Sequence, residues 1–175
     1  MRSLRVCGSK KRIIMENIEQ LKAALQNKNV QAFLDMIRHS EGTATPDGYR
    51  TMFGGKLFDS FNDHPHIFFS YTDKAGKTIK TSAAGAYQIT YTTWRALRDR
   101  LLLDNFSPEV QDICAVELIR EKGALYQVTG GYFMTAIEKV RAIWASLPGS
   151  GCHQPEHSLA EVKKWYEDAG GNVIA

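Results

Sequence analysis

Glu41 stands at the point where the apolar face of a predicted helix ends. Apolar residues precede it at the three- and four-residue spacing of a single helix face: Val30, Phe33, Leu34 and Ile37. The next turn of that face holds Ser40 and Glu41, and Gly42 follows, the residue type that most readily closes a helix. Partial burial and the negative end of the helix dipole both favour a protonated carboxyl. Glu41 is therefore a candidate general acid, the alternative being an exposed residue at a fraying helix end.

Cleavage of a glycosidic bond would usually require a second carboxylate. One carboxyl protonates the leaving oxygen, while the other attacks the sugar or activates water. The acids that follow along the chain are Asp47, Asp59, Asp63 and Asp73. Asp59 and Asp63 lie in a stretch typical of turns, in which aspartate caps its own backbone. No second catalytic acid stands out from the pattern.

Small residues fill positions 81–88 (T-S-A-A-G-A-Y-Q) and make this segment a candidate ligand-binding strip. Ser82 and Gly85 allow a ligand to approach the backbone closely, while Tyr87 and Gln88 offer a flat apolar face and an amide. Such a run of small residues also serves as tight packing before a helix. Both interpretations stay open at this point.

Four histidines and a cysteine raise the question of a zinc site. The residues concerned are His64, His66, Cys152, His153 and His157. Only His153 and His157 have a four-residue ligand spacing, and they lie in a loop rich in glycine and proline. We therefore predict solvated loop histidines, with no metal site and no cofactor.

Length and composition predict one globular domain. The chain has 175 residues, of which 43% are apolar and 23% charged. Its net charge of +3 suits an anionic surface or polymer but is too small to indicate nucleic-acid binding. Three widely spaced cysteines form no disulfide framework, which favours a reducing compartment. No apolar run is long enough for a transmembrane helix or a secretory signal, so we expect no stable membrane insertion.

Hydrophobic periodicity predicts an α+β fold, with a cleft between a small β-rich region and a larger helical lobe. Helices are predicted over residues 16–28, 30–41, 90–103, 107–123, 132–147 and 158–170. Residues 43–80 are rich in turn signals and predict a small β-hairpin region with a mobile loop at 67–79. We assign residues 1–28 to an N-terminal extension with a short peripheral helix, and residues 29–175 to a single domain. Met15 is a candidate internal start, which would make residues 1–14 dispensable.

Several motifs, in order and at similar spacing, resemble the phage lambda-type lysozymes, or endolysins, between positions 32 and 171. They are A-F-L-D-M-I-R-H-S-E-G-T, G-Y-R-T-M-F-G-G-K-L-F with D-H-P, A-G-A-Y-Q, F-S-P-E-V-Q-D, I-R-E-K-G-A-L, and I-W-A-S-L-P-G-S-G with Q-P-E-H. The resemblance implies a lysozyme-like catalytic domain that cleaves the β-1,4 bond between N-acetylmuramic acid and N-acetylglucosamine. It also implies a lytic transglycosylase that leaves a 1,6-anhydromuramyl end, with Glu41 as acid and then base. Because the C6 hydroxyl of the muramic acid would be the nucleophile, one carboxyl suffices.

The same resemblance implies a glycan-binding cleft beside the acid. The expected substrate-binding residues are Ser82, Gly85, Tyr87, Gln88, Arg50 and His157. The loops at residues 67–79 and 146–157 are expected to form two mobile lips over the sugar chain. One departure is Arg50, which stands where the family carries an aspartate after the Gly-Tyr pair. Arg50 is instead a candidate ligand for an anionic muramyl group.

The resemblance also sets the expected partner and place of action. The partner is the glycan strand of peptidoglycan, and we expect a monomer that waits in the host cytoplasm until a separate holin pore admits it to the periplasm and cell wall. Three alternatives stay open: a hydrolytic muramidase of the same fold, a zinc-dependent amidase using the histidines or Cys152, and a non-catalytic wall-binding module.

Overall fold

The architecture is α+β, as the sequence predicts. A computed structural model describes residues 2–73, 75–151 and 155–174. In that part of the chain the helices are α1 (Arg2–Ala24), α2 (Lys28–Ser40), α3 (Tyr91–Leu101), α4 (Pro108–Glu121), α5 (Leu125–Gly130), α6 (Phe133–Val140) and α7 (Leu159–Asp168). Strands β1 (Phe69–Thr72) and β2 (Thr78–Thr81) form one antiparallel hairpin. None of these seven helices combines the length and apolar character that a membrane span needs.

Helix α2 lies at the centre of the helical lobe and confirms the predicted apolar face. It packs against α7, α5 and α4, and Val30, Phe33 and Ile37 are completely buried. Asn27 caps the start of the helix, because its side-chain oxygen accepts hydrogen bonds from the backbone N–H groups of Asn29 and Val30. Packing against three other helices therefore fixes the position of α2 and of Glu41 at its end.

Side-chain caps set the starts of three further helices. Thr90 caps α3, Ser107 caps α4 just before a proline, and Ser158 caps α7 in a capping box with Glu161. Each hydroxyl accepts a hydrogen bond from a first-turn N–H group that has no partner inside the helix. The predicted bounds of these three helices are confirmed, because they agree with the structure within two residues at each end.

Strands β1 and β2 confirm the predicted β-hairpin region, but they occupy much of the segment 67–79 that was assigned to a loop. The mobility of this segment stays a prediction. The hairpin register pairs Phe69 with Thr81. Phe69 and Tyr71 share one face of β1 and pack against Phe53, with ring centroids 6.2 and 5.1 Å apart. This aromatic packing stabilises the strands of the hairpin and leaves a shorter turn between them than the predicted loop.

Helix α1 is longer than predicted, so the short peripheral helix at 16–28 is a wrong prediction. It packs against α3 and α4, and both Ile14 and Leu21 are buried. These two residues are seven positions apart and therefore share one face over two helical turns. The division of the chain after residue 28 stays a prediction.

The helix predicted over residues 132–147 is also too long, because α6 ends at Val140 and the chain continues in turns. Trp144 turns inwards there and donates its indole N–H to the carbonyl of Tyr87 over 3.1 Å. The apolar spacing of this segment therefore reflects burial in irregular backbone. Helix α5 was not expected, because six residues are too few to show a helical period.

Candidate active site

Helix α2 ends one residue before Glu41 in a Schellman motif. The backbone N–H groups of Gly42 and Thr43 donate to carbonyls in the last turn of the helix, at 3.1 and 2.8 Å. This closure needs the left-handed backbone that Gly42 adopts, with a φ of 70°. Thr43 then anchors the turn, because its hydroxyl donates to the carbonyl of Ala86 over 2.5 Å. The turn after Glu41 is therefore fixed by hydrogen bonds to the last turn of α2 and to Ala86.

A cavity of about 390 Å³ opens at Glu41. Its lining comes from the end of α2, residues 51–55, the hairpin, residues 83–90 and residues 143–145. The lining residues are Ser40, Glu41, Gly42, Thr51, Met52, Phe53, Gly54, Gly55, Tyr71, Thr81, Ala83, Gln88, Thr90, Ile143, Trp144 and Ala145. In the part of the chain that the structure describes, Glu41 is the one carboxylate in this lining.

The Glu41 carboxyl is largely withdrawn from water. Its Oε1 atom accepts a hydrogen bond from Ser146 Oγ at 2.6 Å. Burial raises the pKa of Glu41 above its ordinary value, and the hydrogen bond from Ser146 offsets part of that rise because it stabilises the carboxylate. The carboxyl therefore keeps its proton to a higher pH than an exposed glutamate, as a general acid requires.

Replacing Glu41 with glutamine is expected to stabilise the fold above the ordinary carboxyl pKa. Because the pKa of Glu41 is higher in the folded than in the unfolded chain, stability falls as the pH rises through the folded value. Glutamine stays neutral and avoids this loss. Each unit of pKa difference corresponds to about 1.4 kcal/mol, and about 1 kcal/mol moves the melting temperature of such a chain by about 2–4 °C.

Thermal unfolding of the Glu41→Gln variant, followed by circular dichroism at two pH values, measures this effect. The variant should melt higher than the wild type at about pH 8 and show no gain at about pH 4, where both side chains are neutral. An equal gain at the two pH values would mean that the carboxyl charge is not its source.

Gln111 of α4, which is fully buried, organises the segment of small residues. Its Oε1 accepts a hydrogen bond from the N–H of Ala86 at 2.9 Å, and its Nε2 donates to the carbonyls of Tyr49 and Phe106 at 3.0 and 2.9 Å. Gly85 has a φ of 78°, and a Cβ there would lie 2.1 Å from Gln111 Oε1. Gly85 therefore serves tight packing against Gln111, and its assignment to substrate binding stays a prediction.

Two other residues of this segment have different surroundings. Gln88 lines the cavity, and its Nε2 donates to the carbonyls of Thr51 and Gly85, each at 3.0 Å. Its amide oxygen therefore remains the group to consider for a ligand. Ser82 is buried, and its Oγ accepts a hydrogen bond from the N–H of Tyr91 at 2.9 Å. Ser82 thus helps to start α3, and its assignment to substrate binding stays a prediction.

The Tyr87 ring belongs to the core. It is 2% exposed, and its hydroxyl donates to Asp112 Oδ1 at 2.6 Å, where Tyr49 donates as well at 2.8 Å. Burial raises the pKa of Tyr87 well above its ordinary value. The structure therefore corrects the prediction that this ring offers a flat face to a glycan. Its backbone carbonyl, which receives the indole N–H of Trp144, is the part that contributes to the site.

Arg50 and His157 both lie outside the cavity lining. Arg50 Nε donates to the carbonyl of Phe58 at 2.9 Å, and its Nη2 lies 3.5 Å from Asp59. His157 Nε2 lies 3.2 Å from the carbonyl oxygen of Ser40, beside the end of α2. Both side chains thus have local contacts, and their assignment to substrate binding stays a prediction.

The other acids have structural contacts. Asp63 accepts hydrogen bonds from the indole N–H of Trp94 at 2.6 Å and from the N–H of His64 at 2.8 Å. Asp73 accepts from two N–H groups of the hairpin turn at 2.9 Å. Asp59 is fully exposed. The structural interpretation of Asp63 is confirmed, and none of these acids reaches the cavity lining.

His64 is buried, which corrects the prediction of a solvated loop histidine. Its Nε2 lies 2.8 Å from the carbonyl oxygen of Ile89, and its Nδ1 accepts the N–H of His66 at 3.1 Å. Burial lowers the pKa of His64, so the ring is neutral with its hydrogen on Nε2. Among the described residues no group of three His, Cys, Asp or Glu side chains could hold a metal ion. Cys152 and His153 lie outside the described residues.

Two residues close to Glu41 were not among the predicted site residues. Trp144 lines the cavity, and Ser146 donates the hydrogen bond to Glu41. Periodicity assigned Trp144 to a helix face and did not single out Ser146. The signal that could have identified them is the I-W-A-S-L-P-G-S-G stretch, which contains both residues. A family motif of that length indicates a functional role in addition to packing.

Known proteins match both the sequence and the fold. A family model described as Endolysin matches residues 31–173. The endolysin of Escherichia phage lambda is 39% identical over 153 residues, which cover 84% of this chain and 94% of that protein. The endolysin of Escherichia phage P2 is 39% identical over 158 residues, which cover 83% of this chain and 94% of that protein.

Solved structures of bacteriophage lambda lysozyme give the same result. One, complexed with a chitohexasaccharide, matches with a TM-score of 0.78 at 38% identity, over 85% of this chain and 97% of that chain. Another matches with a TM-score of 0.75 at 38% identity and the same coverage. The chain therefore belongs to the endolysin family and is a peptidoglycan-cleaving enzyme of the lambda lysozyme type.

Proposed function

We propose that this endolysin is a lytic transglycosylase in which Glu41 acts first as general acid and then as general base. The Glu41 proton passes to the glycosidic oxygen while the bond from that oxygen to C1 of N-acetylmuramic acid breaks. The C6 hydroxyl oxygen of the same sugar then bonds to C1, and its proton returns to the Glu41 carboxylate. No water is consumed, and the product carries a 1,6-anhydromuramyl end.

The observation that carries this proposal is the single carboxylate of the cavity. Hydrolysis of a glycosidic bond usually employs a second carboxylate to attack the sugar or to activate water. The described lining of the cavity offers Glu41 alone for such a role. An intramolecular hydroxyl nucleophile removes the need for a second acid, because it is already held close to the carbon that it attacks.

The same cavity is the proposed place for the glycan strand. Lambda lysozyme has been solved in complex with a chitohexasaccharide, and its structure matches this chain over most of its length. The lining combines aromatic side chains such as Phe53, Tyr71 and Trp144 with the amide of Gln88, a mixture that suits sugar rings and their hydroxyl groups. We propose that residues 51–55 and the hairpin contact the strand from one part of the lining, and residues 143–145 from another.

Mass spectrometry of muropeptides released from purified peptidoglycan tests the reaction type. The expected products have anhydromuramyl ends, each lighter by one water than the corresponding reducing sugar. Digestion of the same wall with a hydrolytic muramidase supplies the reference masses. Reducing ends as the main product would replace the proposal with hydrolysis, and cleaved peptide stems with intact glycans would replace it with amidase activity.

We also propose that the protein works as a monomer on the cell wall, after release from the host cytoplasm through a separate membrane pore. The support for this proposal is membership of the endolysin family.

A further inference from the structure

Three oxygen-bearing side chains lie in a row at the end of α2. Ser40 Oγ donates to the carbonyl of Ile37 at 2.9 Å, so its only hydrogen is engaged. Ser146 Oγ lies 3.1 Å from Ser40 Oγ and 2.6 Å from Glu41 Oε1. Because Ser146 also has a single hydroxyl hydrogen, it can donate to only one of these two oxygens at a time.

The row has one complete arrangement for each protonation state of the acid. When Glu41 is a carboxylate, Ser146 donates to it in a charge-assisted hydrogen bond. When Glu41 is protonated, its O–H can donate to Ser146 Oγ, and the Ser146 hydrogen is then free to turn towards Ser40 Oγ. The chain of donors then runs from Glu41 through both serines to the carbonyl of Ile37. Neither state leaves a hydroxyl hydrogen of the row without an acceptor.

We propose that Ser146 is the positioning residue of Glu41, and that its hydroxyl hydrogen turns between Ser40 Oγ and Glu41 Oε1 as the acid gives up and regains its proton. The proposal rests on the proposed role of Glu41 as acid and base and adds the two serines to it. Ser146 stabilises the carboxylate form of Glu41 by donating a hydrogen bond to it. Ser40 stabilises the protonated form, because its Oγ then accepts the hydroxyl hydrogen of Ser146.

The backbone around Ser146 supports this role. The N–H of His157 donates to the Ser146 carbonyl at 2.9 Å. Trp144, two residues earlier, is fixed by its indole hydrogen bond to the carbonyl of Tyr87. Contacts on both sides of Ser146 therefore hold its hydroxyl at the end of α2.

The titratable groups around the row come from three elements. Tyr71 of β1 lines the same cavity. His157 lies beside the carbonyl of Ser40 and 4.0 Å from Glu161 of α7. On α2 itself, Asp35 lies 3.5 Å from His39 and also pairs with Arg38. Removing a serine hydroxyl leaves all these charges in place, so a shift in the Glu41 titration would report on the row itself.

Titration of the Glu41 side-chain carboxyl by ¹³C NMR in serine variants tests the proposal. Ser146→Ala removes the donor to the carboxylate, so we expect the pKa of Glu41 to rise by about one unit. Ser40→Ala removes the alternative acceptor, so Ser146 donates to Glu41 throughout and we expect the pKa to fall by about half a unit. Ser146→Thr keeps a hydroxyl and should restore nearly the wild-type value. Ser60→Ala is the matched control, because Ser60 is exposed and lies outside the cavity lining.

Kinetics on purified peptidoglycan supply the second measurement. Ser146→Ala should lower kcat about 10-fold with little change in KM, and the alkaline limb of its pH profile should move to higher pH. Shifts of the same sign in the two alanine variants, or no shift in either, would overturn the proposal. If Ser146→Ala does not fold, Ser40→Ala decides: a lower pKa of Glu41 supports the proposal, and an unchanged or higher pKa overturns it. The reaction type is judged separately from the wild-type muropeptide masses, so each proposal can fail alone.

Discussion

Glu41→Gln is expected to lower the rate of peptidoglycan cleavage about 10²- to 10⁴-fold, the range that a positioned general acid contributes. Glutamine has nearly the same shape and can still accept the hydrogen bond from Ser146, but it carries no proton that could pass to the glycosidic oxygen. The described lining holds no other carboxylate that could replace it. The measurement is the rate at which purified peptidoglycan releases soluble muropeptides.

A matched control makes the same chemical change away from the cavity. Glu138 is exposed on α6, and Glu138→Gln should keep the wild-type rate. Circular dichroism spectra of both variants should match that of the wild type, because neither change removes packing. Cleavage by Glu41→Gln at the wild-type rate would reject Glu41 as the acid.

Gln111→Met is expected to cause the largest loss of stability. Methionine has a similar size, but it leaves the N–H of Ala86 and the carbonyls of Tyr49 and Phe106 without their buried partner. An unsatisfied buried group costs about 1–3 kcal/mol, so the three together should cost about 3–9 kcal/mol. That is a large part of the roughly 5–15 kcal/mol by which typical domains are stable.

Urea unfolding measures this loss as a lower midpoint at an unchanged slope. Gln31→Met is the matched control, because Gln31 is exposed on α2 and its replacement should change stability by less than about 0.5 kcal/mol. At urea concentrations near its own midpoint the Gln111 variant should also lose activity, since Ala83, Gln88 and Thr90 line the cavity and their segment is anchored through Ala86. A loss below about 1 kcal/mol would mean that water or a rearranged backbone replaces the amide.

The end of α2 that carries Glu41 was predictable because every interaction that forms it is local. The apolar spacing, the left-handed glycine and the acid before it lie within a few residues, and the structure reproduces each of them. The starts of α3, α4 and α7 follow the same logic, since a capping hydroxyl meets an N–H group three residues away.

The surroundings of Glu41 depend on residues far away in the sequence. Ser146 lies 105 positions from Glu41, and the indole of Trp144 meets a carbonyl 57 positions away. Gln111 buries part of the segment of small residues, although Gln88 of the same segment lines the cavity. Phe53 packs against Tyr71 and so extends the hairpin into residues assigned to a loop. Hydrophobic period and turn residues describe how a segment folds against itself. They carry no information about which distant side chain will supply the partner of a buried polar group, and in this protein that choice sets the environment of the acid.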